Sequence, residues 1–240
     1  MKKSLVLILM LLVVFCSYLQ PAAARTNENV INSYNELEAD FYKGKFTLVD
    51  LEKKLKKLTD DLVQSKNSYD KFYYLGKLNF LLGEISDLQN QEEKSINYYE
   101  SAKKSVETAL EYKKNSNIYN LIGKLYIRLL NKKGAFYAIK NGQKTFDLIN
   151  KAVDLNNENY SAYNSLGIIY LQAPKIGGGD TAKSEKFFKK ALKSDKEIDN
   201  FISYYYLAEL YAKKENKNLK KDFREKAENI FPESYYLKNN

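Results

Sequence analysis

The 240-residue chain has no His, no Trp, one Cys, two Met, 10 Gly and 3 Pro. Without histidine there is no Ser-His-Asp or Cys-His nucleophile system and no imidazole ligand for zinc or haem. No side chain ordinarily titrates near neutral pH either. The shortage of Gly and Pro argues against an all-β chain with its many turns and suits long helices on short connections. Against these absences stand a 44% hydrophobic content and 14% aromatics, enough to bury a core and to exclude a disordered chain. The 39 Lys+Arg outnumber the 30 Asp+Glu, for a formal charge of +9.

The first 24 residues read as an export signal. Lys2 and Lys3 precede an apolar run from Leu5 to Phe15, and Pro21 leads into Ala22, Ala23 and Ala24, an A-x-A cleavage site that leaves Arg25 as the new N-terminus. The apolar run is barely half the roughly 20 residues of a spanning helix. Cleavage removes two lysines and no acid, leaving +7, and takes both Met and the only Cys, so the mature domain is held by burial rather than disulfides. Cys16, at the end of the apolar run, leaves an alternative: a lipoprotein anchored through that residue, with Phe15 in place of the small residue usual before it.

Four segments share the pattern aromatic-x-x-aliphatic-small-x-x-aromatic. Phe72, Leu75 and Gly76 recur as Tyr119, Ile122, Gly123 and Tyr126, as Tyr163, Leu166, Gly167 and Tyr170, and as Tyr204, Leu207, Ala208 and Tyr211. The i, i+3, i+4, i+7 spacing puts these on one helix face, with the small residue where a neighbouring helix approaches closely. Each is followed by a second amphipathic stretch, 95–111, 143–155, 183–193 and 220–230, carrying Ala109, Ala152, Ala191 and Ala227. In these spacings the chain resembles the tetratricopeptide repeat family, with Tyr for Trp. The resemblance implies an all-α solenoid of helical hairpins, a right-handed superhelix of about five pairs: an N-terminal pair in 25–66, four in 67–232, and a C-terminal tail at 233–240. Repeat starts at 34, 72, 119, 163 and 204 are 38, 47, 44 and 41 residues apart, all more than the family's period of roughly 34 residues. The aromatics themselves are expected to be packing residues.

The segment from Ala173 to Ser184 holds three of the ten glycines. As a phosphate loop it fails, because Ala182 stands where a glycine is needed and the preceding segment is helical. Pro174 instead ends a helix, the glycines make a tight loop, and Asp180 or Thr181 caps the next helix. The loop also resembles one in the periplasmic T-component proteins of TRAP-type transporters, which implies an accessory role in solute transport as an alternative function.

In the family, the first helix of each pair lines a concave groove. Lys77, Asn120, Lys124, Arg128, Asn164, Gln172 and Lys213 fall on that face, a lining suited to a peptide whose backbone meets the amides and whose carboxylates meet the cations. They do not form the paired-cation pattern of carboxylate-clamp tetratricopeptide domains. The Lys pairs 53–54, 56–57, 189–190 and 220–221 alternate with acids as solvated helix faces do, and with export this argues against nucleic acid. No carboxylate pair has a recognisable acid/base setting. The sequence therefore points to an exported, periplasmic or secreted, non-catalytic scaffold without cofactor or metal. Its expected partner is a protein or peptide, with a small-molecule ligand as a further possibility and membrane association only through a lipidated Cys16.

Overall fold

The computed structural model describes the backbone of residues 22–238 and the side chains of residues 28–238. Cys16 and all but the last three residues of the expected signal lie outside them. The described chain forms α1 (Ala22–Lys43), α2 (Leu48–Val63), α3 (Tyr69–Leu88), α4 (Glu92–Tyr112), α5 (Ser116–Lys132) and α6 (Gly134–Leu155). It continues through α7 (Tyr160–Gln172), a 3-10 turn (Lys175–Gly177), α8 (Thr181–Ala191), α9 (Glu197–Lys213), α10 (Lys217–Ile230) and α11 (Tyr235–Lys238). No strand occurs among the described residues, and no described helix is long and apolar enough to cross a membrane.

The architecture is an all-α solenoid of five hairpins, α1/α2 to α9/α10, closed by the short α11. With Gly and Pro scarce, polar side chains punctuate the chain. Thr47, Ser68, Asn115, Asn159, Asp180 and Asn216 each accept a backbone N–H two or three residues on, satisfying donors that a helix start leaves open. Two hairpins turn through left-handed residues other than glycine, Asn90 at φ 58° and Glu215 at φ 56°. The following amides close these turns, Gln91 N–H to Ser86 C=O at 2.8 Å and Asn216 N–H to Tyr211 C=O at 3.0 Å.

The small residues of the repeated motif sit where each first helix meets its own partner. A methyl group built on Gly76, Gly123 or Gly167 would lie 2.2 Å from Val106, 2.4 Å from Ile149 and 2.5 Å from Phe188 respectively. The motif aromatics are packing residues: Tyr126 and Tyr163 are buried, and Tyr119 and Tyr170 pack half-buried on the same clusters. The long repeat spacings come from second helices of 21 and 22 residues, α4 and α6, and from the loop before α8.

In an open solenoid each repeat touches only its neighbours. Here the two ends meet. Tyr42 of α1 lies 6.0 Å from Phe201 of α9 and 5.9 Å, stacked, from Tyr236 of α11, while Phe41 meets the Tyr236 ring edge-on at 5.9 Å. The Tyr235 hydroxyl donates to the Phe46 carbonyl. Gly44, at φ 64°, leaves space for the Glu233 carbonyl that any side chain would occupy. Residues 235–238, read from sequence as part of a tail, are thus part of the seam that closes the ring, with Leu237 in the core.

Candidate functional site

Closure turns the concave groove into a bowl lined by the first helix of every pair, α1, α3, α5, α7 and α9. An outer cavity of about 950 Å³ opens among Tyr34, Tyr73, Lys77, Asn120, Ser161 and Asp199. An inner cavity of about 40 Å³, water-sized, lies between Phe80, Glu84, Arg128, Asn164, Phe201 and Tyr236. Tyr42, Phe80, Lys124 and Ile202 belong to the walls of both.

The floor is a charge network. Arg128 grips Glu84 through both forks, Nε to Oε1 at 2.5 Å and Nη2 to Oε2 at 2.6 Å, and the hydroxyls of Tyr99 and Tyr236 donate to the same two oxygens at 2.7 and 2.6 Å. A carboxylate removed from water is tolerable only when its lone pairs are filled in this way. Burial works against the Arg128 charge, but Glu84 more than restores it and holds the guanidinium protonated well beyond its ordinary range. Burial first, and the Glu84 charge second, push the Tyr99 and Tyr236 phenols far up, so both remain hydrogen-bond donors.

Higher in the wall, Glu38 of α1 accepts the Tyr34 hydroxyl at 2.7 Å and faces the Lys77 ammonium at 3.4 Å. Burial alone would raise the Glu38 carboxyl; Lys77, the Tyr34 hydroxyl and Lys124 outweigh it and hold the group below the usual carboxylate range. Lys124 differs from its neighbours. Its ammonium makes no hydrogen bond or ion pair among the described residues, and burial lowers its pKa despite the more distant charges of Asp199 and Glu38. The Asp199 carboxylate already accepts the Ser194 hydroxyl at 2.8 Å.

The sequence-derived site residues therefore separate into groups. Lys77, Asn120, Lys124, Arg128 and Asn164 line the bowl; Gln172 and Lys213 line neither cavity. Gln172 accepts from Asn131 at 2.8 Å, and Lys213 donates to the Leu171 carbonyl at 3.0 Å. The two asparagines act between helices. Asn120 donates to Ser161 at 3.1 Å and accepts from Ser165 at 2.7 Å, and one step along Asn164 donates to the Asp199 carbonyl at 2.9 Å and accepts from Ser203 at 2.7 Å. Their amides tie one inner helix to the next. Glu38, Tyr42, Glu84 and Tyr236 were not singled out from sequence; the aromatic doublets Phe41-Tyr42 and Tyr235-Tyr236 were the available signal for two of them.

The loop from Ala173 to Asp180 is a connector. Gly178 takes φ 91°, Asp180 caps α8, and none of its residues lines either cavity, so it gives the transport reading no site. Lys56, Lys189 and Lys221 of the basic runs pair with Glu52, Glu185 and Glu225 on the same helix faces. Among the described residues no group of three His, Cys, Asp or Glu is placed to hold a metal.

No family model and no curated protein matches the sequence. The chain is similar to solved tetratricopeptide-type structures. One is YrrB, described as a TPR protein with an unusual peptide-binding site, at 14% identity and a TM-score of 0.41, covering 91% of this chain and 96% of that one. A second is MamA, at 16% identity and 0.40, covering 75% and 92%. A third is BtubC from P. vanneervenii, at 14% identity and 0.40, covering 88% and 91%.

Proposed function

We propose that this protein is an exported, non-catalytic binding scaffold that takes a segment of a protein or peptide partner into the bowl. The observation that carries the reading is Lys124. An ammonium brings three donors, and the half-buried Lys124 has no acceptor for them among the described residues, so a ligand oxygen can take them. Lys77 is already met by Glu38 and Arg128 by Glu84, and Lys43, Lys193 and Lys196 are exposed, so Lys124 is the half-buried cation of the wall left to receive a carboxylate or carbonyl. The outer cavity is also within the volume range of small-molecule sites, roughly 300–1,000 Å³. Its walls favour a peptide, because hydroxyls, amides and Tyr rings from five helices surround an open mouth rather than an apolar slot.

Export rests on the 1–24 signal, and anchoring through Cys16 is the alternative placement. The test of the site is selection of binding peptides from a random library on the wild-type chain, followed by affinity measurement on Lys124→Met. A lost charge-assisted hydrogen bond lowers affinity by about 10- to 100-fold. Peptides that bind Lys124→Met as tightly as wild type refute the assignment. Single carboxylated amino acids that match the selected peptides in affinity would reassign the bowl to a small ligand.

A further inference from the structure

The outer surface of α6 carries a feature that the bowl does not use. Phe136 and Ile139 are 83% and 84% exposed, and Ile176 in the loop before α8 is 99% exposed. Single exposed apolar residues are ordinary on soluble proteins, but these three belong to one region. Positions 136, 139 and 146 share one helical face, and the Phe146 ring reaches within 3.7 Å of the Cβ position of Gly178, two residues after Ile176. The loop bearing Ile176 is therefore seated against the end of the stripe that starts at Phe136.

The charge around this stripe is mainly positive. From Lys132 to Asp147 the chain has four lysines and one acid, Asp147, which accepts from Gln143, and from Gln172 to Asp180 it has Lys175 and the helix-capping Asp180. On other helix faces Lys56, Lys189 and Lys226 each pair with an acid four residues away. Lys132 and Lys133 are engaged by Asp87 and Glu100. Lys140 and Lys175 make no ion pair among the described residues, and Lys144 donates only to the neutral Tyr126 hydroxyl, at 2.8 Å. Three uncompensated cations thus flank three protruding apolar side chains on the outside of the solenoid.

We propose that Phe136, Ile139 and Ile176, with Lys140, Lys144 and Lys175, form a docking patch for an anionic phospholipid surface. The lysines meet the headgroup phosphates while the apolar tips enter the interfacial region, the division of labour seen in interfacial amphipathic helices. Each surface lysine strengthens such binding about 5-fold at moderate salt, and the effect fades as salt screens it. The patch is independent of the bowl, so its failure leaves the peptide reading untouched.

The test uses the full chain with vesicles of phosphatidylglycerol in phosphatidylcholine, against phosphatidylcholine alone. The chain has no Trp, so Phe136→Trp provides a single reporter whose emission shifts to the blue on entering lipid. Because the apolar N-terminal run is the same in every variant, only differences between variants count. Expected are a blue shift with anionic vesicles that salt reverses and, in the Phe136→Trp background, a loss of partitioning of about tenfold or more in Ile139→Ser/Ile176→Ser, and of about 25-fold in Lys140→Gln/Lys144→Gln. All these side chains are exposed, and an unchanged helical circular dichroism signal confirms folding. Three results overturn the proposal: no shift with anionic vesicles, equal partitioning of the double variants and the parent, or a dimer in light scattering that the serine variant converts to monomer. The last result assigns the patch to a second copy of the chain.

Discussion

Gly167→Ala and Gly142→Ala are the same chemical change with opposite expected signs. Gly167 lies in α7 with its hypothetical methyl 2.5 Å from the Phe188 ring, far inside van der Waals contact. Phe188 is fully buried and stacks 5.8 Å from Tyr206 of α9, so it has no free volume into which to retreat. Forcing a methyl into a filled core costs about 1–3 kcal/mol. This contact stands at or above the upper end, because the obstacle is a ring held on its far side. Alanine returns about 1 kcal/mol of helix propensity, leaving a net loss of about 2 kcal/mol. Gly142, within α6, has nothing inside 4 Å of its Cβ position, so only the propensity gain remains. For a domain of this size, 1 kcal/mol moves Tm by about 2–4 °C. Thermal unfolding followed at a helical circular dichroism band is therefore expected to show Gly167→Ala lower by about 4–8 °C and Gly142→Ala higher by about 2–4 °C. A Gly167→Ala protein at least as stable as wild type would mean that α7 and α8 do not meet through this motif position, and the register of the hairpins would have to be redrawn.

Two further outcomes concern charge. Arg128→Met leaves Glu84 as a buried carboxylate without its counter-ion and is expected to cost about 3–5 kcal/mol in urea unfolding. Glu84→Gln added to it should recover a large part, and strict additivity of the two changes would show that the pair is not coupled in the fold. Burial opposes ionisation of Glu185, but hydrogen bonds from Lys189, Lys214 and Tyr211 prevail and bring its pKa to about 2. A carboxyl held down in the folded state stabilises at pH values above its unfolded pKa, and that contribution disappears as pH falls from about 5 toward 2. Wild type should accordingly lose on the order of 1–2 kcal/mol more than Glu185→Gln across this window, solvent screening included. Parallel pH profiles would remove Glu185 from the account.

The hairpins were legible because their causes are local. An aromatic, an aliphatic and a small residue at i, i+3 and i+4 impose a face and a close approach whatever lies elsewhere in the chain, and Gly76, Gly123 and Gly167 occupy the contacts that this spacing implied. The same register placed Lys77, Asn120, Lys124, Arg128 and Asn164 on the inner face. What the register does not contain is how much each hairpin rotates relative to the last. That rotation accumulates over five pairs and decides whether the two ends meet, so the contact of Tyr42 with Tyr236 and the working role of residues 235–238 were invisible locally. Partner identity was hidden for a related reason. Arg128 read as a free cation because Glu84 lies one repeat back, and the motif does not specify which turn of α3 faces which turn of α5.

Closure also changes what kind of peptide the proposed site accepts. An open superhelix lets an extended chain run along its groove and continue past both ends. In this bowl Glu84, Arg128 and Tyr236 line the cavity of about 40 Å³, and Lys124 stands in the wall that this cavity shares with the one of about 950 Å³. A segment in the larger cavity meets Lys77, whose charge Glu38 already neutralises, and Lys124 at the boundary of the two cavities. The half-buried, unmatched cation of the wall thus stands where the roomy cavity adjoins a water-sized one, a position suited to a chain end with its terminal carboxylate. On the proposed function, selected peptides should therefore lose affinity for wild type when their C-terminus is amidated, and show no such loss for Lys124→Met. Equal sensitivity in both proteins would detach the carboxylate from Lys124.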